Sequence, residues 1–469
     1  MKYLGLTVAA WVWAFVAGTA GAQDWPQWRG PHRDGVCPDT TALANTWPAS
    51  GPKRLWVSEK IPGDGRGGFG SPVVAGGRVY LYANIRTPAA EPNSLGTVKD
   101  ALFCLDAADG KTLWCRQYKM PPLANCDDTW TVASSTPCIA GGRCYFAGAD
   151  GTLYCLNARD GAEVWTVKPT GGIQNSSPLV TNGLVVLLSE PSYAVHAADG
   201  KPVWTQPKAP SRRSSAVPWT CAGKNYLLCN GAGDGEVHCL DAASGALIWT
   251  TPGKDTTFPG SGSTVAVAGD VMVVQSADKD FGLMAYRLAA TGAQKLWNID
   301  LTDCAASPII HNGYVYAVVT QRSMCIGLVD GKIAWKQGRL AGDGITSPVL
   351  ADGKIYALTD KGNTLRMFRA TPAKFDLLGK ASVGSLQCAS PAIAGGRLYL
   401  RSGDGIACYD LTAAGAPTAA SPPRRSVACP RAEARRRVCG MVEFEKRTFW
   451  LNALPPRLFP SSVNYRVGA

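Results

Sequence analysis

Apolar residues in this chain fall in short runs, each cut off by a Gly-Gly, Asp-Gly or Asn-Gly pair, and the arrangement recurs. The stretch 134–166, SSTPCIAGGRCYFAGADGTLYCLNARDGAEVWT, shows it most clearly. Its runs at 137–140, 143–147, 152–157 and 163–167 are rich in Val, Ile, Tyr, Leu and Cys. Gly141-Gly142, Asp150-Gly151 and Asp160-Gly161 separate them. Such pairs supply the positive φ that tight antiparallel reversals need, and each run has the length of an ordinary strand. The pattern predicts a four-stranded antiparallel meander, which cannot bury both of its faces alone and so requires neighbours.

Imperfect copies start at Ser71, Ser134, Ser176, Ser214, Gly260, Ala306, Thr346 and Ala389, most with Ser-Pro near the first strand. The last strand of a unit carries a tryptophan at Trp114, Trp165, Trp204, Trp249, Trp297 and Trp335; the unit from Thr346 has a degenerate end near 375–378 with no Trp. The eighth unit stops at Leu411 without a last strand, whereas GPKRLWVSEK (51–60), around Trp56, reads as a last strand with nothing before it. Joining the two removes the exposed edges of an open array. The expected fold is therefore all-β: an eight-bladed β-propeller of four-stranded antiparallel blades over 51–411, its ring closed by an N-terminal strand. The recurring Trp56, Trp114, Trp165, Trp204, Trp249, Trp297 and Trp335 are expected to wedge between adjacent blades and offer their N–H to a carbonyl.

Composition narrows the class. Charged residues are 17% of the 469 and there are 15 Trp, which fits a large folded core. Residues 1–22 carry Lys2, an apolar run and Ala-Gly-Ala before Gln23, and read as a secretory signal peptide, with a membrane anchor as the alternative. A periplasmic or secreted location follows, with no membrane span after cleavage. The formal net charge of +12 is concentrated in 412–469, read as a basic, disordered tail. No nucleic-acid-binding signature accompanies it.

The 16 cysteines do not suggest a disulfide framework. Cys104, Cys155, Cys239 and Cys408 occupy one equivalent strand position, where Cys serves as a small hydrophobe; only Cys115 with Cys126 is a candidate bridge. No metal-ligand spacing is present.

The element A-x-D-G-x-x-x-W, seen as AADGKTLW, ARDGAEVW, AADGKPVW and AASGALIW, resembles the tryptophan-docking repeat of the pyrroloquinoline-quinone-like β-propellers. That superfamily includes quinoprotein alcohol dehydrogenases and the propeller lipoprotein of the outer-membrane β-barrel assembly machinery. The opening DWPQWRGPHRDG (24–35) is similar to the start of many secreted propellers of this kind. The dehydrogenase branch implies a quinone cofactor (PQQ) between a tryptophan and an adjacent-cysteine disulfide, with calcium and an Asp base. This sequence has no Cys-Cys pair and no Cys-x-x-Cys-His, and Asp127, Asp128 and Asp303 are the visible acids near first strands. No catalytic residue is assigned, and no cofactor is expected outside that alternative. The assembly branch implies a monomeric, non-catalytic module that binds other envelope or secreted proteins.

Candidate binding residues are those expected just before each first strand, around one mouth of the channel: Phe69, Trp130, Asn175, Arg212, Arg213, Pro259, Asp303, Ile345 and Gln387. Of these, Trp130, Asn175, Arg212, Arg213, Asp303 and Gln387 are the polar or stacking candidates for a ligand, Arg212 and Arg213 for an anionic one. Two long insertions, 83–100 and 116–133, are expected as loops. Trp25 and Trp28 are expected to pack an irregular segment onto the surface.

Overall fold

The computed structural model describes residues 24–62, 68–87, 97–119, 134–168, 176–211, 213–254, 262–320, 322–338 and 346–413. These belong to the first of two units, Met1–Pro422; the second, Pro423–Ala469, lies outside the described residues, as do residues 1–23. There is no helix among the described residues, and the strands form eight four-stranded antiparallel sheets, the blades of a β-propeller. In the first blade, strands Val73–Ala75, Arg78–Thr87, Thr97–Asp106 and Thr112–Lys119 run in order from the channel to the rim. The eighth blade takes Ala392–Ala394, Arg397–Ser402 and Gly405–Asp410 from the C-terminal side and Lys53–Val57 from the N-terminal side. Lys53 pairs with Asp410 and Val57 with Ala407, so the ring closes without a free strand edge at the seam.

The outer strand of each blade alternates outward and inward. Leu55, Leu113, Val164, Val203 and Ile248 face out, and the tryptophan that follows each of them packs inward on the next blade. Indole N–H groups donate across the blade boundary from Trp56 to the Ala107 carbonyl (3.2 Å), Trp114 to Arg159 (3.1 Å), Trp165 to Ala197 (3.1 Å), Trp204 to Ala242 (3.3 Å), Trp297 to Leu328 (2.9 Å) and Trp335 to Thr371 (2.8 Å). The acceptors lie in the turn before the neighbour's outer strand. The turn's glycine is where the ring face rests: a Cβ on Gly245, at φ +70°, would meet the Trp204 ring at 2.4 Å. Opposite the tryptophan within its own blade stands a small residue, Cys104, Cys155, Cys239, Cys325 and Cys408 in five of them. Each of these five is fully buried, and every described cysteine is a free thiol, so Cys serves here as packing.

Two departures have physical causes. The Trp249 N–H is buried without a partner, because the fifth blade replaces the wide turn with a tight hairpin in which Ala289 pairs with Gly292, leaving no carbonyl in the docking position. The seventh blade lacks the tryptophan because the eighth has no turn to receive one: its third and outer strands come from opposite ends of the chain. Trp47, from the N-terminal segment, packs there instead, against Gly379 and Tyr356.

Three expectations are corrected. Trp25 and Trp28 do not lie on the surface; they belong to a segment threaded into the channel, and Trp25 is 2% exposed. The described residues of the insertion at 83–100 are strand, in a ladder that runs from Arg78↔Asp106 to Thr87↔Thr97; 88–96 lie outside the described residues. Cys115 is a free thiol rather than half of a bridge; Cys126 lies outside the described residues, as do 120–133 of the second insertion.

Candidate functional site

The Ser or Thr that opens the first strand of each repeat lies at the axis, in six of the eight immediately before Pro. A residue before Pro is held extended, so its N–H and hydroxyl face the neighbouring blades. Ser71 N–H donates to Thr136 Oγ1, Thr136 to Ser177 and Ser177 to Ser215; Thr264 donates to Ser307, Ser307 to Ser347, Ser347 to Ser390, and Ser390 back to Ser71, all at 2.9–3.1 Å. The eight hydroxyls thus encircle the channel, each accepting one bond and keeping its own proton. At the fourth-to-fifth blade step the acceptor Thr264 Oγ1 is taken instead by the Trp28 indole N–H, at 3.0 Å. Counting Ser-Pro pairs locates most of the blades but does not show what the hydroxyls do; the available signal is that a Ser or Thr stands at this position in all eight units.

Residues 24–37 cross this ring. Trp25 bridges to Val74 of the first blade, the Pro26 carbonyl accepts from Ile139 of the second, and Arg33 Nη2 donates to the Ser177 and Pro178 carbonyls of the third. Arg29 Nη2 donates to the Pro308 carbonyl of the sixth blade at 2.6 Å, Gly35 and Cys37 exchange backbone bonds with Leu350 of the seventh, and Cys37 Sγ reaches the Ile393 carbonyl of the eighth. Both arginines adopt φ 60°, a conformation costly for a side-chain-bearing residue and held here by these contacts.

Above this floor opens a funnel of about 130 Å³ lined by Trp28, Phe69, Ser134, Arg213, Gly262, Cys304, Ala305, Cys388 and members of the hydroxyl ring. Phe69 and Arg213 line it. Asp303 is 6% exposed and turned into its own loop, where its carboxylate accepts from the N–H groups of Ala305, Ala306 and Thr320. Gln387 is half-buried beside Cys388, which lines the funnel from a φ of 68°. Trp130, Asn175, Arg212, Pro259 and Ile345 lie outside the described residues, as do Asp127 and Asp128. The approach to each first strand is irregular backbone, so distance from Ser-Pro along the chain does not fix which side chain faces the axis.

Burial pushes the Cys388 thiol up to about 12, with Cys304 adding to the shift and Arg213 opposing it; burial also raises Cys304. Both thiols therefore stay protonated at neutral pH and are poor nucleophiles. No histidine or carboxylate is part of the described lining. The most displaced carboxylate is Asp100, raised to about 6 by burial and bonded to Tyr82 and Asn84, but it lies between the first and second blades rather than in the funnel. The lining offers hydroxyl donors, one guanidinium, two aromatic surfaces and apolar wall. Among the described residues the funnel presents no carboxylate or side-chain amide oxygen of the kind that calcium takes.

A closed ring of eight Ser/Thr-linked, tryptophan-docked blades defines the class: a β-propeller of the PQQ-like repeat type. A family model described as outer membrane protein assembly factor BamB matches residues 98–227, 193–306 and 284–405, well over half of the chain, and the chain belongs to that family. Among curated proteins it is 23% identical over 372 residues to the outer membrane protein assembly factor BamB of Moranella endobia, covering 76% of this chain and 89% of that one. It is also 23% identical over 340 residues to the tetrathionate hydrolase of Acidithiobacillus ferrooxidans, a match covering 65% of this chain and 64% of that protein, just under two thirds. Among solved structures, the quinohaemoprotein alcohol dehydrogenase of Comamonas testosteroni superposes with a TM-score of 0.57 at 15% identity, over 82% of this chain and 80% of that one. This last likeness is one of fold.

Proposed function

We propose that the chain is an exported, non-catalytic propeller that docks other cell-envelope proteins at the mouth floored by Trp28. Family membership supports a role in outer membrane protein assembly. The observation that carries the reading is the floor itself: the chain's own residues 24–37 fill the channel, so the mouth is a shallow dish. Its mixture of aromatic, apolar and donor groups suits a protein surface. The monomer acts without a cofactor, and docking draws on Arg213, with Arg212, Trp130, Asn175 and Gln387 as further candidates.

An oxidoreductase reading rests on fold likeness alone, and fold does not carry function. The discriminating experiment incubates the purified protein with pyrroloquinoline quinone and calcium and follows dye-linked oxidation of alcohols and sugars. Rates at the protein-free background are expected; sustained turnover would overturn the proposal.

A further inference from the structure

Two arginines lie inside the ring with too little negative charge around them. Arg29 is 3% exposed and Arg33 1%. Their neighbours are mostly carbonyls: those of Arg33, Asp34 and Pro308 for Arg29, and those of Ser177 and Pro178 for Arg33. Neither is paired with a carboxylate among the described residues. The one nearby acid, Asp34, uses an oxygen to accept the Val36 N–H. Arg29 Nη1 and Arg33 Nε and Nη1 are buried without a partner. Burial holds both guanidiniums down to about 10, and each still carries full charge at neutral pH; Arg33 stands close enough for its charge to add to the effect on Arg29. A buried cation whose donors go unmet is strongly destabilising, and guanidinium cannot escape by losing its proton.

Beside Arg29 lies a cavity of about 10 Å³, room for a single water-sized occupant. It is lined by Arg29, Gln27 and the ring residues Ser71, Thr136, Ser347 and Ser390, and otherwise by apolar Trp, Pro and Val side chains. Each of the four hydroxyls already accepts a backbone N–H, and none donates its proton to a described group. Gln27 is occupied elsewhere: its amide donates to the Pro31 carbonyl, and its oxygen faces the Cys138 thiol. Arg29 and the four ring hydroxyls supply the donors on this largely apolar wall, and no carboxylate is part of it.

We propose that this axial cavity is a binding site for a small monovalent anion of halide size, held by Arg29 and the surrounding hydroxyls and supported by the charge of Arg33. The ion fastens the N-terminal segment to the ring; its site shares Trp28, Ser71 and Ser347 with the mouth but rests on Arg29 rather than Arg213, so it needs no docked partner. A cavity of this size excludes sulfate and gluconate.

The test measures the thermal midpoint of the full chain at constant ionic strength in sodium chloride, bromide or gluconate. It is joined by anomalous scattering at the bromine edge from bromide-grown crystals. Chloride and bromide should raise the midpoint saturably, by roughly 3–5 °C at a hundredfold excess over Kd. A bromide peak should stand in the axial cavity, and Arg29→Gln should abolish the halide dependence. If Arg29→Gln does not fold, the bromide map of the unaltered protein decides. A water refined in the cavity, or bromide only at the surface, together with identical midpoints in the three salts, overturns the proposal.

Discussion

The rim and the axis of this propeller both use tryptophan and arginine, but to opposite ends. At the rim the same contact is made again and again: an indole rests on the neighbour's turn glycine and donates to its turn carbonyl, as Trp204 does over Gly245 and Ala242. At the axis the Ser/Thr ring repeats as well, but each contact that residues 24–37 make with it occurs once. Trp28 alone takes a ring hydroxyl, and Arg29 and Arg33 each meet a different blade. Repetition marks what builds the scaffold, and single occurrence marks what distinguishes this chain from any other ring of eight blades.

The rim half of that contrast can be sharpened within one blade. Gly245 and Gly223 both hold positive φ, +70° and +76°, but a Cβ at Gly245 would strike the Trp204 ring while one at Gly223 meets nothing within 4 Å. Gly245→Ala should cost about 3 kcal/mol in a denaturant titration, combining backbone strain with overpacking, and Gly223→Ala about 1 kcal/mol from backbone strain alone. Equal losses would mean that the tryptophan does not rest on the turn.

A smaller effect compares rim and axis directly through indole N–H groups. Trp335→Phe and Trp28→Phe each remove a hydrogen bond, to the Thr371 carbonyl and to Thr264 Oγ1, and should each lose about 1 kcal/mol more than Trp249→Phe, whose N–H has no partner. Chemical denaturation of the three variants checks the order. A Trp249→Phe loss as large as the others would contradict the account of the tight hairpin in the fifth blade.

The fold was legible because its signals recur. Asp-Gly and Gly-Gly pairs placed the reversals, the fourth-strand tryptophans spaced the blades, and the orphan strand around Trp56 revealed the closure. A Ser or Thr recurs in all eight units too, but a hydroxyl's bond to the next blade cannot be seen from spacing until the ring exists. Residues 24–37 were harder still. Nothing in DWPQWRGPHRDGV distinguishes a segment lying on a surface from one threaded through a ring, because both are irregular and rich in Trp, Pro and Gly. Its destination is set by Arg29 and Arg33, whose partners lie well over a hundred residues away in sequence. The missing tryptophan of the seventh blade, which reads as decay of the repeat, is instead a consequence of closure, with Trp47 filling the place.

The central claim is that binding resides at the mouth and not on the repeated rim, although the rim also presents exposed apolar side chains such as Ile248. It is tested most directly by placing a photo-crosslinking amino acid at Arg213 in one version of the full chain and at Ile248 in another. Both are irradiated in intact cells, and the captured envelope proteins are identified. The account predicts discrete adducts from position 213 and background from position 248; adducts from 248 with none from 213 would contradict it.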